Sequence, residues 1–489
     1  MPNTAPQPAP LPPQEKSSAL SLLTGRAVDN LLRTWQEVKS TTRSAIGSKT
    51  LRPHLPEEDI AYLNKQIKAC LEPKGGEVTA RINTVQLGKL YLQLNAQGRS
   101  RFFKLLAEEY DINHEALVKR AEALVKAESP EERRKAERAL RDALVAPRVT
   151  LFRQFNTLPN GFKFLVDMRS EMLASASAEP LIATVEDDLK QMLSAWFDIG
   201  LLDTEEITWK SPAELLEKLM VYEAVHPIRS WDDLKNRLDA DRRVFGFFHN
   251  KMPLEPLIFV QVAFTKGLAT SIQELLDETK PVQDLTTADT AIFYSISNAQ
   301  SGLAGISFGN FLIKRVVNTL TAENKNIKQF ATLSPIPGFR KWLDETLKKH
   351  EDAKLLIGTE ASDVKALGEK GKTASEILAA LLAAEWHKND KVASVLKPVL
   401  TRLVAHYLTQ EKRRGKQALD PVAHFHLSNG ARLEQINWLG DTSPKGFKQS
   451  AGLMVNYHYI LGDIDHNHED YVTDGTIATS KTIQSILKG

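Results

Sequence analysis

The chain has 489 residues, too many for one ordinary core, so two domains are expected. Hydrophobic residues at 42% and charged residues at 25% match soluble globular proteins, which excludes wholesale disorder and a membrane-embedded chain. With 63 basic against 61 acidic residues the formal charge is +2, so no strong field favours nucleic acid or an anionic membrane.

The first residues, 1–20, are rich in Pro, Ala and Gln and are expected to form a disordered tail of low complexity. They lack the charged start and apolar run of a secretory signal, and no arginine precedes Arg26. No transmembrane helix is expected, and the closing Ile486-Leu487-Lys488-Gly489 is not a peroxisomal address of the Ser-Lys-Leu type. The cytoplasm is the expected compartment. The single cysteine, Cys70, forbids an internal disulfide and a multi-cysteine zinc site. Within Ile67-Lys68-Ala69-Cys70-Leu71 it reads as a small buried hydrophobe with no catalytic role.

From about Leu23 to Leu201 apolar residues recur every three or four positions, as in Leu90, Leu92, Leu94 and Phe102, Phe103, Leu105, Leu106, so this half reads as helical. Ser129-Pro130-Glu131-Glu132 combines an N-cap serine, a first-turn proline and a glutamate three positions after the cap, which predicts a helix start. Its charged body, Arg133 to Leu144, reads as a solvated face or a subunit contact. Ser211-Pro212-Ala213-Glu214 repeats the signal for a helix through Tyr222, and Ser230-Trp231-Asp232-Asp233 marks another.

The period then changes. Arg243 to His249 and Leu257 to Phe264, rich in Val, Ile and Phe, predict two strands joined through Asn250-Lys251-Met252-Pro253. Ala291 to Ser297 and the short run Phe330-Ala331-Thr332-Leu333 predict two more, with a helix at about Phe311 to Leu320 between them. The boundary between the halves is placed near Asp187 to Thr204, with no internal repeat.

Between a strand and a helix, Asn298 to Asn310 carries Gly302, Gly305 and Gly309. Glycines admit a phosphate close to the main chain, and the helix start stabilises its charge, although a tight turn alone also accounts for them. The placement resembles the acyl-CoA-binding turn of the GNAT acetyltransferase fold, with Gln300 to Gly305 reading Gln-x-Gly-x-Ala-Gly. Leu333-Ser334-Pro335-Ile336-Pro337-Gly338-Phe339 follows the next strand, at the end where open α/β sheets bind ligands. Pro335 favours an extended Ser334, whose hydroxyl would be aimed reproducibly or would simply satisfy a rigid turn. Asp420-Pro421-Val422-Ala423-His424-Phe425-His426 offers two histidines that share a face if extended; metal binding lacks a third ligand nearby. The cluster Asp463 to Asp470, with His466 and His468, reads as a solvated polar loop, and Lys412-Arg413-Arg414 as a solvated face or phosphate contact.

Taken together the chain resembles the malonyl-CoA decarboxylase family. The blocks that carry the resemblance are Tyr222 to Ile228, Ala291 to Ser297, Phe311 to Val317, Leu333 to Phe339 and Gly452 to Tyr459, with a thinner match at Ser194 to Phe197. The resemblance implies an α + α/β chain: residues 21–195 as an N-terminal all-helical bundle used for oligomer contacts, and 196–489 as a GNAT-like mixed-sheet catalytic domain. It implies conversion of malonyl-CoA to acetyl-CoA and carbon dioxide in fatty acid metabolism, with no cofactor or metal, no nucleic-acid or membrane partner, and a homotetramer. Ser334 and His426 correspond to the catalytic serine and histidine, with His424 a bystander. Ala304, Gly305, Ile306, Ser307, Phe308, Gly309 and Asn310 correspond to the malonyl-CoA-binding loop, and Tyr459 to an aromatic position near the active site. Ser307 stands where some members have a glutamate.

Decarboxylation leaves electrons that must spread into the thioester as an enolate, followed by a proton on the former methylene carbon. His426 is the expected proton donor, with an imidazole of reference pKa about 6.5, and Ser334 is expected to orient the malonyl carboxylate or to assist proton transfer by hydrogen bonding. A GNAT-type acyltransferase on the same fold, or an inactive acyl-CoA sensor, are the rival readings.

Overall fold

A computed structural model describes residues 31–35, 50–72, 76–176, 179–197, 199–306, 311–349, 356–357, 359–368 and 370–488. The tail 1–20 and the loop residues Ser307, Phe308, Gly309 and Asn310 lie outside them.

Helices fill the first half, from Glu57–Leu71 to α1 (Gly161–Ala176) and α2 (Pro180–Trp196). At Pro130–Ala143 the capping box forms as its sequence predicts: the Ser129 hydroxyl accepts from the Glu132 amide at 3.2 Å, and the Glu132 carboxylate accepts from the Ser129 amide. The second start differs. The Ser211 hydroxyl takes the Thr208 amide, so Pro212 becomes the residue before the helix Ala213–Tyr222 and no side chain caps it. Ser230 does cap its helix, accepting from Asp233 at 3.0 Å.

The second half is built on one mixed sheet of seven strands: β1 (Leu202–Ile207), β2 (Arg242–His249), β3 (Ile258–Thr265), β4 (Thr290–Asn298), β5 (Gln329–Thr332), β6 (Arg432–Asn437) and β7 (Met454–His458). Their spatial order is β1-β2-β3-β4-β5-β7-β6. β2, β3 and β4 are buried almost throughout, so they read as continuous apolar runs and not as alternating ones. All pairs are antiparallel except β4 with β5. That parallel pair needs a crossover, which the glycine loop and α3 (Phe311–Glu323) supply.

The parallel register runs only from Thr290 opposite Gln329 to Phe293 opposite Thr332. Beyond it the Leu333 amide still reaches the Phe293 carbonyl at 3.0 Å, but Ser334 turns to β7, exchanging both backbone hydrogen bonds with Val455. β4 continues alone to Asn298 on that side. A crevice therefore opens at the carboxyl ends of the parallel pair, the position such sheets use for ligands.

One apolar cluster joins both halves. Phe162 of α1 lies flat on His249 of β2, with centroids 4.9 Å apart, and meets Phe197 edge-on. Cys70 is buried in this core, which pushes its thiol up to about 12 and leaves it without thiolate character.

Candidate active site

Ser334 and His426, far apart in sequence, meet where β4 and β5 part: Oγ and Nε2 are 3.2 Å apart, and both residues are buried. Ser334 is delivered by the turn after β5. His426 comes from α4 (Pro421–Ser428), a short helix opened by an Asp420 cap and Pro421 at its first position. The extended conformation considered for this segment is therefore replaced by a helix. Residues two apart then point different ways, and His424 turns to the Tyr471 hydroxyl at 2.9 Å while His426 enters the site. The two histidines do not form a shared ligand pair. Asp-Pro before an apolar run is itself a helix-start signal, and it is the signal that locates this helix.

The imidazole is held on three sides. The Tyr459 hydroxyl lies 2.7 Å from Nδ1, Tyr457 stacks on the ring at 4.7 Å, and Ser334 faces Nε2. Burial pushes the Tyr459 phenol well above its ordinary range, so it stays protonated, and with no other acceptor for it among the described residues it donates to Nδ1. Nε2 then carries the ring proton and donates to Ser334 Oγ. The Ser334 hydroxyl in turn donates to Thr332 Oγ1 at 2.8 Å, which also accepts the Tyr457 amide at 3.1 Å. The same burial pushes the His426 imidazole down to about 3, not the ordinary 6.5 expected from the sequence. The ring is neutral at physiological pH, and the proton it holds is the one on Nε2.

Thr332 and Tyr457 escaped the sequence reading because strand residues of these types read as ordinary sheet packing, and Asp420 was named there only as the start of the histidine segment. Asn456, next to Tyr457, supports the same region by donating to the Thr332 carbonyl at 2.7 Å.

The glycine loop leaves β4 through Gln300, whose side chain donates to the Pro256 carbonyl at 3.1 Å, and forms a 3-10 turn at Ser301–Leu303. Two of its glycines have local reasons. A Cβ on Gly302 would stand 1.8 Å from the Val166 carbonyl oxygen of α1, and Gly305 has φ +73, the left-handed region. The Leu303, Ala304 and Ile306 amides are bonded within the loop, to Gln300, Ser301 and Leu303, which leaves Gly305 among the amides of residues 303–306. Arg169 of α1, almost wholly buried, clamps the turn: it donates to the Gly302 carbonyl at 2.5 Å and the Ala304 carbonyl at 2.8 Å while paired with Glu186 of α2. Lys190 of α2 places its ammonium 3.7 Å from where a Gly305 Cβ would lie.

The polar segment Asp463 to Asp470, expected as a loop, belongs to the helix Ile464–Asp474, closed by Gly475 in the left-handed region. Its His468 meets the Ser428 carbonyl at 2.6 Å, so it serves as packing at the end of α4. Lys412 and Arg413 form a two-residue ribbon with Gln417 and Ala418, and Lys412 donates to the Gly475 carbonyl. Among the described residues no three His, Cys, Asp or Glu side chains gather as metal ligands. Nor is any described helix long and apolar enough to cross a membrane.

Two family models match the chain: the malonyl-CoA decarboxylase N-terminal domain over residues 110–197 and its C-terminal domain over 200–489. A mitochondrial malonyl-CoA decarboxylase of Anser anser anser is 40% identical over 407 residues, 80% of either chain. The Mus musculus mitochondrial enzyme is 41% identical over 363 residues, 72% of this chain and 73% of that one. Among solved structures, malonyl-CoA decarboxylase from Rhodopseudomonas palustris is 40% identical with a TM-score of 0.78, covering 87% of this chain and 99% of its own. That from Agrobacterium vitis is 36% identical with a TM-score of 0.76 over the same shares.

Proposed function

The chain belongs to the malonyl-CoA decarboxylase family, and from that premise we propose how it turns malonyl-CoA into acetyl-CoA and carbon dioxide. The thioester handle lies along the loop of residues 304–310, with Lys190 and the Gly305 amide contributing positive potential to its phosphates. The malonyl end reaches the crevice between β4 and β5. There the bond to the carboxylate breaks, its electron pair passes into the thioester as an enolate, and carbon dioxide leaves.

The former methylene carbon then takes a proton from the Ser334 hydroxyl. The serine oxygen takes the His426 Nε2 proton as the Tyr459 hydroxyl passes its own to Nδ1, so the ring stays neutral. Water reprotonates the Tyr459 oxygen, its hydroxide being taken up by carbon dioxide as bicarbonate. A thioester enolate is basic enough to draw a proton from this neutral relay, so no imidazolium is needed. No acyl-serine is formed, because the reaction requires none. The observation that carries this reading is the 3.2 Å approach of Ser334 Oγ to His426 Nε2, with Tyr459 donating behind the ring.

The purified protein is to be incubated with malonyl-CoA alone, in the presence of a chelator. Equal amounts of acetyl-CoA and carbon dioxide are expected, at a rate the chelator does not change. Product formed only after an amine is added would make it an acyltransferase, and binding without turnover an acyl-CoA sensor. The proposal extends to a cytoplasmic homotetramer, although the animal relatives are named as mitochondrial enzymes. Light scattering and cell fractionation test those two parts.

A further inference from the structure

We infer that Asp420 is a positioning residue that fastens the serine loop to the histidine helix and thereby sets the approach of Ser334 to His426. Its two carboxylate oxygens serve two different segments. Oδ1 accepts from the Val422 and Ala423 amides at 2.9 and 3.0 Å, capping α4. Oδ2 accepts from the Gly338 amide at 3.2 Å and the Tyr407 hydroxyl at 3.4 Å. Gly338 ends the turn that Ser334 begins, and His426 lies in the second turn of α4.

A carboxylate that only capped a helix would use one oxygen and sit equally well in water. Asp420 is fully buried. Burial raises its pKa, and the Ala423, Gly338 and Val422 amides with the Tyr407 hydroxyl oppose that rise. An internal carboxylate is costly unless hydrogen-bonded, so its retention here needs partners on both segments.

The loop transmits the constraint. Pro335 and Pro337 each fix one backbone angle, φ, which leaves less freedom between Gly338 and Ser334 to absorb a displacement of Gly338. Gly338 has no room for a side chain, since a Cβ would stand 2.2 Å from the Tyr407 hydroxyl oxygen. That close approach is what brings its amide to Asp420. The Ser334 backbone is held from the other direction by Val455.

This inference rests on the reading of Ser334 and His426 as the reacting pair. The test is Asp420→Asn, which keeps an oxygen for the Val422 and Ala423 amides but turns an amino group toward Gly338, cutting the tether while sparing the cap. Expected is a fall in kcat of about 10- to 100-fold, from misplacement of the pair, with KM for malonyl-CoA within about twofold. Should Asp420→Asn fail to fold, Asp420→Ser, which also caps, is measured in its place.

In a Ser334→Ala background the same substitution is expected to lower the residual rate by no more than about twofold, because the alignment it protects no longer matters. An unchanged kcat in the single variant, or an equal loss in both backgrounds, overturns the positioning role. Full turnover in Ser334→Ala alone would instead overturn the reading of the pair.

Discussion

The Tyr459 hydroxyl and His426 Nδ1 lie 2.7 Å apart in the interior, so a phenol that burial keeps protonated dictates which imidazole nitrogen holds the proton. Tyr459→Phe removes that instruction. Loss of a hydrogen bond worth about 1.4 kcal/mol corresponds to about a tenfold fall in kcat. Steady-state rates with malonyl-CoA should show it with KM little changed, and an unaltered kcat would remove Tyr459 from the mechanism.

The two histidines of α4 should part company in the same assay. His426→Ala is expected to lower turnover by about 10²- to 10⁴-fold, the range for one positioned proton transfer, while CoA binding by calorimetry survives. His424→Gln, whose parent ring contacts Tyr471 away from Ser334, should stay within about twofold of the wild type.

Acid should weaken the fold through His426. Above about 6.5 the ring is neutral in both folded and unfolded chains and contributes no pH dependence. As pH falls from there toward about 3 the unfolded chain binds a proton that the folded chain refuses, so stability declines by up to about 1.4 kcal/mol per pH unit. His226, buried and likewise pushed down to about 3, adds a second contribution of the same sign. Urea titrations from pH 7 to 4 should show a shallower decline in His426→Phe. The kcat/KM profile of the wild type should carry no acid limb near 6.5 that vanishes in that variant.

Arg169 ties the helical half to the glycine loop. Arg169→Met leaves Glu186 buried without its partner and releases two loop carbonyls. Breaking a buried pair in this way costs about 3 to 5 kcal/mol, readable as a lower urea midpoint. Dissociation constants for malonyl-CoA should rise, and unchanged binding would separate the loop from the CoA site.

Gly302→Ala probes the same contact from the other partner. A methyl group 1.8 Å from the Val166 carbonyl oxygen has only backbone to push against, so α1 or the loop must move. Thermal unfolding should occur several degrees earlier, about 4 °C or less per kcal/mol lost in a chain larger than about 150 residues.

Much of the architecture was legible because it rests on local signals. Ser129 and Glu132 form a capping box from their spacing alone, and Phe245, Val260 and Phe293 lie in continuous apolar runs that only a doubly covered sheet buries. His424 and His426 show where local reading stops. Their spacing suits a strand face, and the helix is decided by Asp420, whose second oxygen answers to Gly338 across the fold. The change at Ser211 has a similar cause, since its hydroxyl found Thr208 first. The depressed basicity of His426 was illegible in principle, because it arises from tertiary enclosure and not from any neighbour in sequence.

Phe162 resting on His249 welds the two halves across their apolar faces. Produced as two polypeptides, each would expose an adhesive surface to a crowded cell before finding the other, and aggregation would compete with pairing. The arrangement therefore favours inheritance as a single reading frame, and gene fission here would be selected against even if both pieces kept every residue that touches substrate.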